Sequence, residues 1–125
     1  MAKIAIVDDS RLARLVTTSC VKNLGHELRE IEPTSVFDVM ERLREDPPAL
    51  VLMDYLMPNC PGLSLARALR EDPGLRYVKI LMISAHRDED IQLCLKRLGV
   101  ESFMSKPFEA KTLVETVEGL LQPGW

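Results

Sequence analysis

The chain has 125 residues, of which 46% are hydrophobic and 28% are charged, values that suit one domain with a buried core and leave no room for two. Its net charge of -3 gives no indication of the basic surface that nucleic-acid binding requires. The apolar runs are far shorter than the roughly 18 residues of a membrane span, and no secretory signal is visible. Three cysteines without a CxxC pair argue against a disulfide framework or a zinc site, so we expect a cytoplasmic protein.

Strand-like apolar runs alternate with helical periodicity in the first half of the chain. Residues 4–7 form a continuous apolar run and residues 27–31 a weaker one, as is typical of strands covered on both faces. A helix is expected between them. Its core-facing residues, spaced four apart, are expected to be Leu12, Val16, Cys20 and Leu24. Ser35 and Asp38 resemble a capping box that starts a second helix, and residues 49–53 form the third strand-like run.

The same alternation continues in the second half. A helix is expected just after Gly62, and residues 79–83 and 102–105 form the fourth and fifth strand-like runs. The helix between these runs closes at Gly99, and its Cys94 is expected to face the core. A last helix carries an apolar stripe formed by Leu113, Val117, Leu120 and Leu121. Five strands alternating with five helices predict a doubly wound α/β fold, an open parallel sheet with helices on both faces.

Polar side chains stand at the carboxyl ends of four predicted strands, where sheets of this kind bind ligands. In chain order they are Asp8, Asp9, Asp54, Ser84 and Lys106. If strands one, three, four and five are neighbours, these side chains meet at one edge of the sheet. Three carboxylates in one pocket repel each other, and a hard divalent cation such as Mg²⁺ removes that conflict.

These residue types suit phosphoryl transfer to an aspartate. Lys106 supplies a compact positive charge for a phosphate oxygen, and Ser84 supplies a hydroxyl donor. A carboxylate nucleophile with a metal and an ammonium meets the requirements of in-line displacement at phosphorus. We therefore expect Asp54 to attack phosphorus while the cation and Lys106 neutralise the developing charge.

Each residue also has a simpler explanation. An Asp-Asp pair after a strand is more often a helix N-cap than a metal site. Ser84 alone is more often a turn residue, and Lys106–Pro107 could be a loop dipeptide. Four strand ends with compatible phosphate chemistry favour the functional interpretation.

The motifs at these strand ends resemble those of the receiver domains of two-component response regulators. They are Ile-Val-Asp8-Asp9-Ser, Met-Asp54-Tyr-Leu-Met-Pro58-Asn-Cys-Pro-Gly62, Ile-Ser84-Ala85 and Phe103-Met-Ser-Lys106-Pro107-Phe108. The resemblance covers essentially the whole chain, as in single-domain chemotaxis regulators. It implies a flavodoxin-like sheet in the order 2-1-3-4-5, with a receiver domain over residues 1–122 and a tail over residues 123–125.

The resemblance also implies a metal site and a phosphorylation site. Asp54 would be the phosphorylated residue. Asp9 and Asp54 would bind Mg²⁺ together with the backbone carbonyl of Leu56, and Asp8 would act mainly through a water ligand. Leu56 and His86 would flank the path of the water that removes the phosphoryl group and so tune its lifetime, although His86 has an equally simple explanation as an exposed loop residue.

A two-state switch is the next implication of the resemblance. Ser84 and Lys106 would contact the phosphoryl group, and the peptide bond before Pro107 would be cis. Ser84 would move toward the phosphoryl group while the ring of Phe103 turns inward. The alternative is that Phe103 is a plain core aromatic residue.

Three rival functions are compatible with an aspartate-rich α/β fold. A phosphatase of the haloacid-dehalogenase type needs a general acid two residues after its nucleophile, where this chain has Leu56 after Asp54 and Ser10 after Asp8. A flavodoxin-type cofactor site needs a Ser, Thr and Gly-rich loop after the first strand, where this chain has two acids. A receiver-like adaptor that is never phosphorylated usually lacks an acid or the lysine, and all are present here.

Partners follow from the resemblance as well. We expect a sensor histidine kinase or phosphotransfer protein upstream and an unidentified protein downstream, contacted through the fourth helix, fifth strand and fifth helix. A homodimer through that face remains an alternative. Nucleic acid, membrane and turnover on an external substrate are not expected. The chain could be a stand-alone protein or the receiver of a longer regulator.

Overall fold

The computed structural model describes residues 1–85 and 88–122, and the predicted alternation of strands and helices is present within them. The strands are β1 Lys3–Val7, β2 Glu27–Ile31, β3 Leu50–Asp54, β4 Lys79–Ser84 and β5 Ser102–Ser105. The α-helices are α1 Arg11–Val21, α2 Val36–Glu45, α3 Gly62–Glu71, α4 Glu89–Arg97 and α5 Ala110–Leu121. A short 3-10 helix, Lys22–Leu24, extends α1 and ends at Gly25, whose φ of 81° is in the left-handed region.

The five strands form one parallel sheet in the order β2-β1-β3-β4-β5. The predicted doubly wound, flavodoxin-like topology is therefore confirmed. Because β1 has β2 on one side and β3 on the other, the chain winds outward in both directions from β1. The carboxyl ends of β1 and β3 consequently frame the crevice in which such sheets hold their ligands.

Alternate side chains of each strand enter two separate cores. Ala5 and Val7 pack on the face covered by α2, α3 and α4. Ile4 and Ile6 pack on the opposite face, against α1 and α5. Burial on both faces explains why the strands are continuous apolar runs in the sequence.

Side-chain caps start α1, α2 and α4, the last through the Asp88 carboxylate. The Ser35 hydroxyl accepts a hydrogen bond from the Asp38 N–H at 3.0 Å, which confirms the predicted cap of α2. The N-cap of α1 is Ser10, whose hydroxyl accepts from the Ala13 N–H at 3.2 Å. Capping of α1 therefore does not account for the acidic pair at residues 8–9.

The predicted core-facing side of α1 is wrong at its N-terminal end. Leu12 is 72% exposed and Val16 is 48% exposed, whereas Thr17 and Val21 are buried. The prediction that Cys94 faces the core is also wrong, because Cys94 is exposed. Helical spacing identifies a stripe of residues, but the neighbouring elements decide which stripe meets the sheet. Within the described residues, no helix is long and apolar enough to cross a membrane.

Candidate functional site

Three carboxylates meet where β1 and β3 end. Asp8 and Asp9 follow β1 directly, and Asp54 is the last residue of β3. One oxygen from each of the three carboxylates lies within 4.8 Å of the others. Asp8 is buried, Asp54 is half-buried and Asp9 is exposed. The structure thus brings together the acidic pair and the single acid that the sequence placed at two different strand ends.

The residue after β5 adds a positive charge to this pocket. Lys106 Nζ lies 3.4 Å from Asp8 Oδ2 and 3.5 Å from Asp54 Oδ2. The Lys106 backbone N–H donates to the Ser84 carbonyl at 2.8 Å, which ties the end of β5 to the end of β4. The peptide bond between Lys106 and Pro107 is cis, the isomer that the resemblance implies.

The charge balance of the pocket affects the ionisation of Asp54. Burial raises the pKa of the Asp54 carboxyl above its ordinary value. The Lys106 ammonium opposes this rise, whereas the Asp8 carboxylate adds to it. Three carboxylates beside one ammonium leave an excess of negative charge, and a further cation would favour the ionised form of Asp54.

The donor set fits a magnesium ion. Carboxylate oxygens are among the ligands that Mg²⁺ prefers in proteins. One oxygen from each of the three carboxylates lies within 4.8 Å of the others, so the three acids are close enough to hold one ion, directly or through a metal-bound water. Asp9 is exposed, so an ion held here would be accessible to water and to a phosphate oxygen, in keeping with the preference of Mg²⁺ for several non-protein ligands.

The proposed switch residues lie on the neighbouring strands. Ser84 ends β4 and is 1% exposed. The residue before Ser84 is Ile83, which pairs in register with Asp54 on β3. Phe103 lies on β5, is partly buried and packs against the core that α2, α3 and α4 cover. Leu56, in the loop after β3, is 55% exposed. His86 lies outside the described residues.

Gly62 packs directly against the backbone that carries Asp54. Its N–H donates to the Tyr55 carbonyl at 2.9 Å. A Cβ at position 62 would lie 2.8 Å from the Asp54 carbonyl oxygen and 2.8 Å from the Tyr55 Cα. The sequence indicated Gly62 as a helix boundary, but this close approach depends on how α3 packs and was not predicted.

A groove beside the pocket was also missed. Exposed Leu12 and Val16 of α1 line it together with Pro107 and Phe108, and Lys106 connects it to the acidic site. Its volume is about 490 Å³. It was missed because the sequence pattern assigned Leu12 and Val16 to the core.

Comparison with known proteins identifies the family. The family model of the response regulator receiver domain matches residues 4–118. The chain is 29% identical to protein PilH of Pseudomonas aeruginosa over 121 residues, covering 97% of this chain and 98% of PilH. It is 32% identical to the cyclic di-GMP phosphodiesterase response regulator RpfG of Xanthomonas campestris over 119 residues, covering 95% of this chain but 32% of RpfG.

A solved structure agrees at the level of the fold. The chemotaxis protein CheY4 of Vibrio cholerae matches with a TM-score of 0.88 at 23% identity, over 97% of this chain and 99% of CheY4. The family match, which spans most of the chain, coincides with an acidic pocket at the crevice of a doubly wound sheet. The chain therefore belongs to the receiver domains of two-component response regulators, a family of switch proteins whose role is to accept a phosphoryl group.

Proposed function

We propose that Asp54 is the phosphoryl acceptor of this receiver and that its modification switches a protein-contact surface. The observation that carries this assignment is the position of Lys106, whose ammonium lies within 3.5 Å of both the Asp8 and the Asp54 carboxylates. Asp54 is half-buried at the crevice, and the ammonium lies beside both its carboxylate and that of Asp8. A group transferred to Asp54 would therefore have a positive charge beside it.

The transfer is a displacement at phosphorus. A carboxylate oxygen of Asp54 attacks the phosphorus of a phosphohistidine on the donor protein. The new O–P bond forms as the P–N bond breaks, and the imidazole nitrogen retains the electron pair. The Lys106 ammonium neutralises charge on the equatorial oxygens, and the Ser84 hydroxyl donates to one of them.

Asp8, Asp9, Asp54 and the backbone carbonyl of Leu56 would hold Mg²⁺, with Asp8 acting mainly through water. When bound, the cation offsets both the repulsion among the carboxylates and the charge of the incoming phosphoryl group.

The switch would run from Ser84 to Phe103. Ser84 is buried and directly follows the β4 residue that pairs with Asp54. Phe103 lies on β5, which is next to β4 in the sheet. Movement of Ser84 toward the phosphoryl group and inward rotation of the Phe103 ring would alter the surface formed by α4, β5 and α5. This surface would contact an unidentified downstream protein, while a histidine kinase or phosphotransfer protein acts upstream.

The receiver would span residues 1–122, with residues 123–125 as a tail. It would act as a reversible covalent switch without turnover on an external substrate. The chain also shares its fold with receiver-like adaptors that are never phosphorylated, and a direct test separates the two functions.

The test is incubation with acetyl phosphate and Mg²⁺ followed by mass spectrometry of the intact protein. The wild type should gain the mass of one phosphoryl group, and Asp54→Asn should gain none. Asp46→Asn is a matched control, since Asp46 is an acid that bonds Lys3 on the exposed surface. No gain by the wild type, or an equal gain by Asp54→Asn, would overturn the assignment. Hydrogen exchange should change in α4 and β5 on phosphorylation, and unchanged exchange there would refute the switch.

A further inference from the structure

We infer, on the basis of the Mg²⁺ site proposed above, that Arg14 is a positioning residue that holds the Asp8–Asp9 turn in its metal-binding position. Arg14 lies on α1, six residues after Asp8, and none of the sequence motifs includes it. Its guanidinium reaches back to the strand end from which the first two acids project.

The contacts of Arg14 join three elements of the fold. Its Nη1 donates to the backbone carbonyl of Asp8 at 2.6 Å. Its Nε lies 3.6 Å from Glu30 Oε1 on β2. The Arg14 side chain is 12% exposed and that of Glu30 is 33% exposed. The guanidinium therefore bridges α1, the end of β1 and β2 in a largely desolvated position.

The Asp8 carbonyl needs such a donor because the sheet ends before it. The register of β1 and β2 stops at the pair of Val7 and Ile31, so Asp8 is one residue beyond the last paired position. A buried carbonyl without a donor is costly. The Arg14 guanidinium takes the place of the missing strand neighbour, and its planar fork limits the directions in which the carbonyl can point.

All three oxygens of Asp8 are thereby engaged. Oδ1 accepts from the Ser10 N–H at 2.9 Å, Oδ2 lies 3.4 Å from Lys106 Nζ, and the carbonyl oxygen accepts from Arg14. Ser10 and Lys106 act on the carboxylate, whereas Arg14 acts on the main chain. Because Asp8 and Asp9 are consecutive, a change in the Asp8 peptide plane moves both acids relative to Asp54.

Positioning and simple electrostatics predict opposite effects on Mg²⁺ affinity. Arg14 carries a positive charge near three carboxylates, so its removal would by charge alone make the pocket more negative and strengthen cation binding. If Arg14 positions the acids, its removal weakens binding instead. Loss of groups that orient metal ligands typically costs about tenfold to a hundredfold in metal affinity. The sign of the change is therefore diagnostic.

The experiment is titration of Mg²⁺ into the full chain by isothermal calorimetry, for the wild type and three variants. Arg14→Gln removes the charge and the forked donor, whereas Arg14→Lys retains the charge and a single-point donor. Arg29→Gln is the matched control, because Arg29 on β2 also donates to a backbone carbonyl, that of Arg42 at 2.8 Å, away from the acidic pocket. Melting curves in EDTA define a temperature at which each variant is folded.

We expect Arg14→Gln to weaken Mg²⁺ binding about tenfold or more, Arg14→Lys to weaken it less, and Arg29→Gln to bind like the wild type. Arg14→Gln binding as tightly as the wild type, or more tightly, would overturn the inference and leave the proposed function intact. If Arg14→Gln does not fold, Arg14→Lys decides, and an affinity equal to that of Arg29→Gln would overturn the inference. A wild type that does not bind Mg²⁺ would overturn both proposals.

Discussion

Gly62→Ala should destabilise the protein, although alanine is usually the better helix residue. The added Cβ would lie 2.8 Å from the Asp54 carbonyl oxygen and 2.9 Å from the Tyr55 carbonyl oxygen, whereas ordinary contacts begin at 3.4 Å. These neighbours are backbone atoms and cannot rotate away, so α3 and the loop after β3 must separate by about 0.6 Å, the shortfall between 2.8 and 3.4 Å. Overpacking of this kind costs typically about 1–3 kcal/mol.

Thermal and urea unfolding would measure this effect. For a domain of this size, 1 kcal/mol corresponds to roughly 4 °C, so the midpoint of Gly62→Ala should fall by roughly 4–12 °C. Displacement of the Asp54 backbone should also slow phosphoryl uptake from acetyl phosphate, by about tenfold or more, because reacting groups tolerate little misplacement.

Gly119→Ala is the matched control for Gly62→Ala. Gly119 lies in α5, and a Cβ there would meet nothing within 4 Å. The substitution should stabilise the protein by up to about 1 kcal/mol, as expected for Gly to Ala in an unobstructed helix, and leave phosphoryl uptake unchanged. If Gly62→Ala proves as stable as the wild type, or is stabilised like Gly119→Ala, the packing described between Gly62 and the Asp54 backbone is wrong.

Two further predictions concern lifetime and acid stability. Leu56 is apolar and has no donor to orient an attacking water, so phosphorylated wild type should lose its phosphoryl group more slowly than Leu56→Asn. The decay is followed by mass spectrometry after acetyl phosphate is removed, and faster decay of the wild type would contradict this prediction. Arg44 donates to Asp72 at 2.7 Å, and this hydrogen bond lowers the pKa of the Asp72 carboxyl in the folded protein. The pair therefore stabilises the fold at pH values above the unfolded pKa of about 3.9. This stabilisation is lost as the pH falls through the lower pKa of the folded state. Asp72→Asn should therefore unfold at lower urea than the wild type at neutral pH, with a gap that closes below about pH 4; a gap independent of pH would refute the linkage.

Much of the fold could be predicted because its signals are local. The buried strands are continuous apolar runs, and the cap of α2 by Ser35 joins residues three positions apart. The acids could be placed at strand ends for the same reason. The strand order, by contrast, came from the family resemblance, because strand pairing joins distant segments that periodicity does not relate.

The sequence by itself determined which residues form strands and helices and which chemical groups stand at the strand ends, since both depend on interactions within a few residues. The tertiary structure decided which groups meet. It placed Lys106 against Asp8, 98 positions away, turned Thr17 rather than Val16 toward the sheet, and brought Arg14 to the Asp8 carbonyl. These outcomes depend on the packing of several elements at once, because a side chain's exposure and partners are set by its neighbours in space.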